Sequence, residues 1–301
     1  MVEPRERTKN AYVEGKKPIV AKVPHFNGDY LPHTVAKAAD LLGGVGLSIK
    51  SGDSVMLKPN FNCRYAMPLS TDLAFLTAII ELLQDHGAKV VVGESSGKAD
   101  GPTEQVIRDL NLLPVLKRYD VPFVNFDTDQ WIEMKIDGKY FQKLRVPRSI
   151  YEAEKRVYTS NIRCHSSARY SASLKLSVGW IDAEYRGYFH EEKPLVEAKI
   201  PELNLGWQPE MVFIDARRST TSQYGRGKYV YPNAVLASGD MLAADAEAVS
   251  ILKGYPDNNF LGIPLKEMGQ LAKGMEYGLG SIDYVPRSAP GNLETEQKSV
   301  F

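Results

Sequence analysis

Short apolar runs alternate with longer segments of helical period along this chain, and that alternation predicts an α/β fold. Pro18 to Val23 reads as a strand, and Leu31 to Leu42 as a helix stopped by Gly43 and Gly44. Ser54-Val-Met-Leu-Lys58 is an apolar strand that runs into Pro59-Asn-Phe-Asn62. Asp72 to His86 has helical spacing, with Thr71 placed to cap it and Gly87 to end it. Lys89-Val-Val-Val-Gly93 is the next strand and closes in Glu94-Ser-Ser-Gly97. Both strands are apolar at consecutive positions, which suits burial on both faces. They are therefore expected side by side at the centre of a mainly parallel sheet.

Further along, Gln105 to Tyr119 reads as one helix and Val121 to Phe126 as a strand. Trp131 to Val146 alternates around Asp137-Gly138, a hairpin signal. Ile150 to Ala153 is a short helical turn, and Arg156 to Thr159 a strand. Residues 161–206 are polar with little periodicity. Met211 to Asp215 and Asn233 to Ala237 restart the strand pattern, and Asp240 caps a helix from Met241 to Leu252. Leu265 to Lys273 is a final helix, Ser222 to Lys228 reads as a mobile loop, and the polar chain from Pro286 is expected to fray. The expected architecture is a mainly parallel sheet with helices on both faces, plus a smaller C-terminal α/β lobe. The lobes are placed at 17–205 and 206–290, divided in the stretch from Pro201 to Pro209.

Composition narrows the function classes. The chain has 301 residues, 43% of them apolar, enough to bury a core without metal or disulfide staples. Lys and Arg total 37, matching 37 Asp and Glu, so no global field attracts nucleic acid or an anionic membrane. No apolar run approaches a membrane span, and the opening MVEPRERTKN lacks the apolar core of a secretory signal. A cytoplasmic location follows as the expectation. Cys63 and Cys164 cannot between them ligate a four-cysteine iron–sulfur cluster, and two reduced thiols are expected. The expected partner is a small-molecule anion, with a homo-oligomer also compatible.

Ligands of open α/β sheets bind where the carboxyl ends of parallel strands meet helix N-termini. Three strand ends here carry unusual polar content: Lys58 to Asn62, Gly93 to Gly97, and Asn161 to Ser167. Lys58, Asn60, Glu94, Ser95, Ser96 and Arg169 are accordingly candidates to bind the substrate. The window from His165 to His190 also holds Arg169, Lys175 and Arg186, in a chain with five histidines. His165 and Lys175 are the candidate catalytic residues, since both types exchange protons or attack carbon near neutral pH. Each feature has an ordinary structural counterpart: a surface lysine, a helix-capping turn, or an ion-pair network completed by Glu184, Glu191 and Glu192. His86, at a helix C-terminus, is adequately explained by the helix dipole. Asp245 is either exposed or buried against a cation.

At these segments the chain resembles the family catalogued as domain of unknown function 362. The resemblance rests on Val55-Met-Leu-Lys-Pro-Asn60, the Leu-x-x-x-Gly-Ala pattern at Leu83 to Ala88, and Val90-Val-Val-Gly-Glu-Ser95. His165, Ser173-Leu-Lys175 with Gly179, Asn233 to Asp240 with Ala244-Asp245, and Gly278-Leu-Gly280 continue it. Many members carry a ferredoxin-like cysteine-rich segment, and this sequence has none, so no intrinsic iron–sulfur cluster is expected. A more distant resemblance is to the nickel-pincer lactate racemase family, through the order of parts and the placing of His165, Lys175 and His190. It implies Lys175 as the covalent anchor of a pyridinium-derived cofactor, His190 as a metal ligand and His165 at the reacting centre. The function expected is an enzyme acting on a small carboxylate or phosphate by proton or hydride transfer, racemase-like or oxidoreductase-like, with a metal or pyridine-type cofactor as one route. His165 would be the base, and Lys58 or Arg169 the anion clamp. The alternative is a non-catalytic protein that binds the same small ligand.

Overall fold

The computed structural model describes residues 1–97, 100–221, 229–258 and 262–290, without the side chains of residues 183, 184, 188 and 191. The loop foreseen at 222–228 lies outside the described residues. Eight strands of one sheet organise the chain: β1 Lys17–Pro24, β2 Ser54–Lys58, β3 Lys89–Glu94, β4 Phe123–Asn125, β5 Lys155–Asn161, β6 Met211–Ala216, β7 Ala234–Ser238 and β8 Val285–Ser288. Across the sheet the order is β1-β7-β6-β5-β2-β3-β4, with β8 and the two-residue strand Val13–Glu14 both on the outer side of β1. The block β6-β5-β2-β3-β4 is parallel throughout, whereas β7 runs antiparallel to both β6 and β1.

The two apolar runs are interior strands, as their composition implies. In β2, Val55 and Leu57 join one core while Met56 joins the other, so successive side chains are buried on opposite faces. Against one face pack helices α1 Leu31–Leu42, α2 Leu73–Asp85, α3 Thr103–Asp109 and α4 Leu112–Arg118. Against the other pack α6 Met241–Lys253, the hairpin of residues 131–147, and a short helix α5 Ala183–Glu191. No described helix is long and apolar enough to cross a membrane.

Four expectations need correction. The segments 17–205 and 206–290 do not carry separate sheets: β6 and β7 sit between β5 and β1 in a single sheet. The helix expected from Gln105 to Tyr119 is two helices, broken where Asn111 adopts a left-handed φ of 58°. Thr71 does not cap α2. Its Oγ1 accepts the backbone N–H of Asn60 at 2.9 Å, tying the turn after β2 to the start of the helix. Pro286 does not begin a frayed tail, because β8 pairs in parallel with β1 from Val285 to Ser288.

The order of strands places the site. From β2 the chain moves outward to β3 and β4, then returns to lay β5 on the opposite side of β2. Connections leaving β2 and β5 therefore diverge, and a crevice opens beyond their carboxyl ends.

Candidate functional site

A cavity of about 550 Å³ occupies that crevice. Its strand-end wall is made by Lys58, Asn60 and Asn62 after β2, by Glu94, Ser96 and Gly97 after β3, and by Ser160 and Asn161 closing β5. The segment that follows β5 supplies the rest. A two-stranded hairpin pairs Arg163–His165 with Arg169–Ser171, a tight helical run spans Leu174–Trp180, and α5 completes the cover. From it Arg163, His165, Lys175, Arg186 and His190 line the cavity.

Lys58 and Glu94 form a wholly buried ion pair at 2.6 Å. Glu94 also accepts the backbone N–H groups of Phe61 and Ser95, each at 2.8 Å, so its two oxygens are used by the turns they hold in place. Burial pushes the Lys58 ammonium down and its glutamate partner opposes that shift. Gly179 lies against this pair. A Cβ there would come within 2.6 Å of the lysine nitrogen, which explains a glycine at that position.

Three further cations, Arg163, Lys175 and Arg186, line the same cavity. Among the described residues lining the cavity, Glu94 is the sole carboxylate. Burial, then Arg163 and Arg186, push the Lys175 ammonium down to about 7, so it loses its proton near neutrality. Burial, then Lys175, Arg163 and His190, push His165 strongly down. Its Nδ1 receives the N–H groups of Ser167 and Ala168, both at 3.3 Å, which places the ring proton on Nε2. His165 is thus a neutral imidazole that can donate from Nε2 but is a weak base. His190 Nδ1 is 2.8 Å from the carbonyl of Arg186 and carries the proton there, making Nε2 its ligand-type nitrogen.

Arg186 is held by an outer network. It donates to the carbonyl of Ile181 at 2.9 Å and to Ser95 Oγ at 2.7 Å, and Ser95 donates to Asp127 at 2.5 Å. Thr103 donates to the other oxygen of Asp127 at 2.6 Å and receives the N–H of Ser96. Gly97, at a φ of +73°, leaves the space that the guanidinium fills.

Of the residues singled out from sequence, Lys58, Asn60, Glu94, Ser96, His165, Lys175 and His190 line this one cavity. Ser95 does not line it and acts behind Arg186. Arg169 does not line it either and pairs with Glu197 at 3.0 Å. Glu192 pairs with Lys199 rather than with the cavity cations, and the side chains of Glu184 and Glu191 lie outside the described residues. Sequence reasoning did not single out Arg163, Asn62, Ser160 or Asn161. Their signal was their place at or just beyond a strand end. Ser160 Oγ, Asn62 Oδ1 and both polar atoms of Asn161 are buried with no hydrogen-bond partner among the described residues. An unmet buried polar group costs ~1–3 kcal/mol, so such groups are rarely left in one place without a use.

A family model described as "Domain of unknown function (DUF362)" matches residues 55–250, a stretch that contains every cavity-lining residue. The thylakoid-associated protein sll1697 of Synechocystis is 27% identical over 153 residues, 50% of this chain and 46% of that protein. The chain therefore spans about half the length of this curated relative. Among solved structures, the lactate racemase apoprotein from Thermoanaerobacterium thermosaccharolyticum is 15% identical at a TM-score of 0.45. The likeness covers 82% of this chain and 60% of that one.

Proposed function

The chain belongs to the DUF362 family, a domain of unknown function, and from the chemistry of its cavity we propose that it binds a small organic anion and moves a proton on it. The observation that carries this reading is the convergence of Arg163, Lys175 and Arg186 on one cavity, where the two guanidinium groups disfavour charge on the lysine. An anion would relieve that repulsion, and two guanidinium groups suit a carboxylate or a phosphate. The proton-transfer roles differ from those expected from sequence. Lys175, poised near neutrality, is the better base, and neutral His165 is the better donor to an oxygen that gains charge.

Binding is tested by calorimetric titration of inorganic phosphate, acetate and propionate at low ionic strength. Arg186→Ala should weaken binding about 10- to 100-fold, the worth of one or two charge-assisted hydrogen bonds. Proton movement is tested by deuterium wash-in at the carbon beside the bound carboxylate, followed by NMR, and Lys175→Met should abolish it. Binding without exchange would favour the non-catalytic alternative. Unchanged affinity in both Arg163→Ala and Arg186→Ala would sink the anion site itself.

A second reading rests on the same lysine. An amine that gives up its proton near neutrality is nucleophilic in its uncharged form and suits the covalent anchoring of a pyridine-type cofactor. When bound, such a group supplies an electron sink for hydride or carbanion chemistry. Among the described residues no three His, Cys, Asp or Glu side chains cluster to hold a bare metal ion. A metal here would bring donors of its own, with His190 adding one. Metal analysis and the absorption spectrum of the purified protein separate this reading from cofactor-free chemistry.

A further inference from the structure

The strand-end wall of the cavity differs in kind from the cationic segment that follows β5. Lys58 and Glu94 neutralise each other there, and the remaining groups named on that wall are uncharged amides and hydroxyls. Asn161 is 3% exposed, yet its side-chain nitrogen and oxygen both lack a partner among the described residues. Ser160, 2% exposed, also lines the cavity with an unmet hydroxyl, and Asn62 contributes an unmet carbonyl. The neighbouring strand does not rescue Asn161. In register beside it lies Asp215, whose oxygens are engaged by the backbone and guanidinium of Arg217.

We propose that Asn161, with Ser160, forms an amide-reading subsite, so that the ligand is a small anion carrying a carboxamide-like edge. This rests on the anion reading above and specifies its substrate class. The reason is complementarity. A primary amide presents N–H donors beside a carbonyl acceptor, and only a group with the same pair in reversed order meets both. A lone hydroxyl on the ligand would meet one and leave the other buried and unpaired. Ser160 Oγ and Asn62 Oδ1 then serve the remaining donor and acceptor of the ligand edge. The anionic end of the ligand meets Arg163, Lys175 and Arg186, which line the same cavity.

The test uses isosteric carboxylates. Succinamate and levulinate differ only in an amide nitrogen replaced by a methyl group, and 4-hydroxybutanoate offers a single hydroxyl. The wild-type protein should bind succinamate at least tenfold more tightly than either, by calorimetry. In Asn161→Leu, a near-isosteric change, that preference should fall below twofold while the thermal midpoint is unchanged or raised, since an unmet amide has been replaced by an apolar group. Ser160→Ala, which adds no bulk, should reduce the preference without abolishing it. Equal binding of succinamate and levulinate, with both weakened by Arg186→Ala, would overturn the amide subsite and leave the anion site standing. So would a preference that survives in Asn161→Leu, or 4-hydroxybutanoate matching succinamate. Failure of all three carboxylates and of inorganic phosphate to bind would overturn both.

Discussion

Lys175 shows how a single residue links site and stability. Its folded-state pKa is about 7 against an ordinary 10.5, so below pH 7 the folded protein must hold a charge that its surroundings disfavour. The unfolded chain binds more protons between these values, so stability should rise with pH across that window. Lys175→Met should therefore stabilise the protein at pH 6 by ~2–4 kcal/mol, with the gain fading toward pH 10.5. Urea unfolding at several pH values checks this, and a pH-independent difference would show that the lysine does not titrate as described. Lys58 behaves differently because it is paired. Lys58→Met leaves Glu94 charged and buried and should cost ~3–5 kcal/mol, whereas Lys58→Met with Glu94→Gln should cost clearly less. A double-mutant cycle measures that difference.

At the scale of elements, the run Leu174–Trp180 that carries Lys175 and Gly179 is secured from outside the cavity. Asp245, wholly buried in α6, accepts the N–H and the hydroxyl of Ser173 at 2.8 and 2.5 Å, and the N–H of Leu174 at 3.2 Å. These are the donors left open at the start of a helical run, and the carboxylate meets them. Burial nonetheless pushes Asp245 up to about 7 from an ordinary 3.8, so its contribution is complete below pH 3.8 and is lost as pH rises through 7. Asp245→Ala strands two backbone donors in the core, the Ser173 hydroxyl keeping the carbonyl of Met241, and should lower stability by ~3 kcal/mol, read by urea unfolding. It should also loosen the turn, seen as faster labelling of Lys175 by an amine reagent under native conditions. Unchanged labelling would show that the turn is held by its packing alone.

At the scale of the whole molecule, the sheet is interleaved. The strand nearest the N-terminus, β1, reaches the parallel block only through β7, which is contributed late in the chain. A fragment of residues 1–205 lacks both β6 and β7, leaving β1 without its inner neighbour and one side of β5 open. Such a fragment should show no cooperative thermal transition, by calorimetry or near-UV dichroism. A sharp transition would restore the two-lobe organisation. The same interleaving explains why the division expected from sequence does not separate two sheets: the stretch from Pro201 to Pro209 marks a change of local pattern, while sheet membership is set by which edges pair.

What the sequence alone determined was local. Consecutive apolar residues in Val55–Leu57 and Val90–Val92 can satisfy both faces only inside a covered parallel sheet, and strand-end loops of such a sheet converge, which brought Lys58, Glu94, Ser96 and His165 to one place. Tertiary structure decided the rest, because it depended on packing between distant segments. Ser95 and Ser96 are chemically alike in sequence, yet the strand's exit directs one behind Arg186 and the other to the cavity wall. Arg169 and Arg186 looked equivalent until Glu197 captured the first and Ser95, 91 residues from the second, oriented it. The unmet amide of Asn161 has no sequence signature, since a hydrogen bond that is not made is defined only by every neighbour that fails to make it.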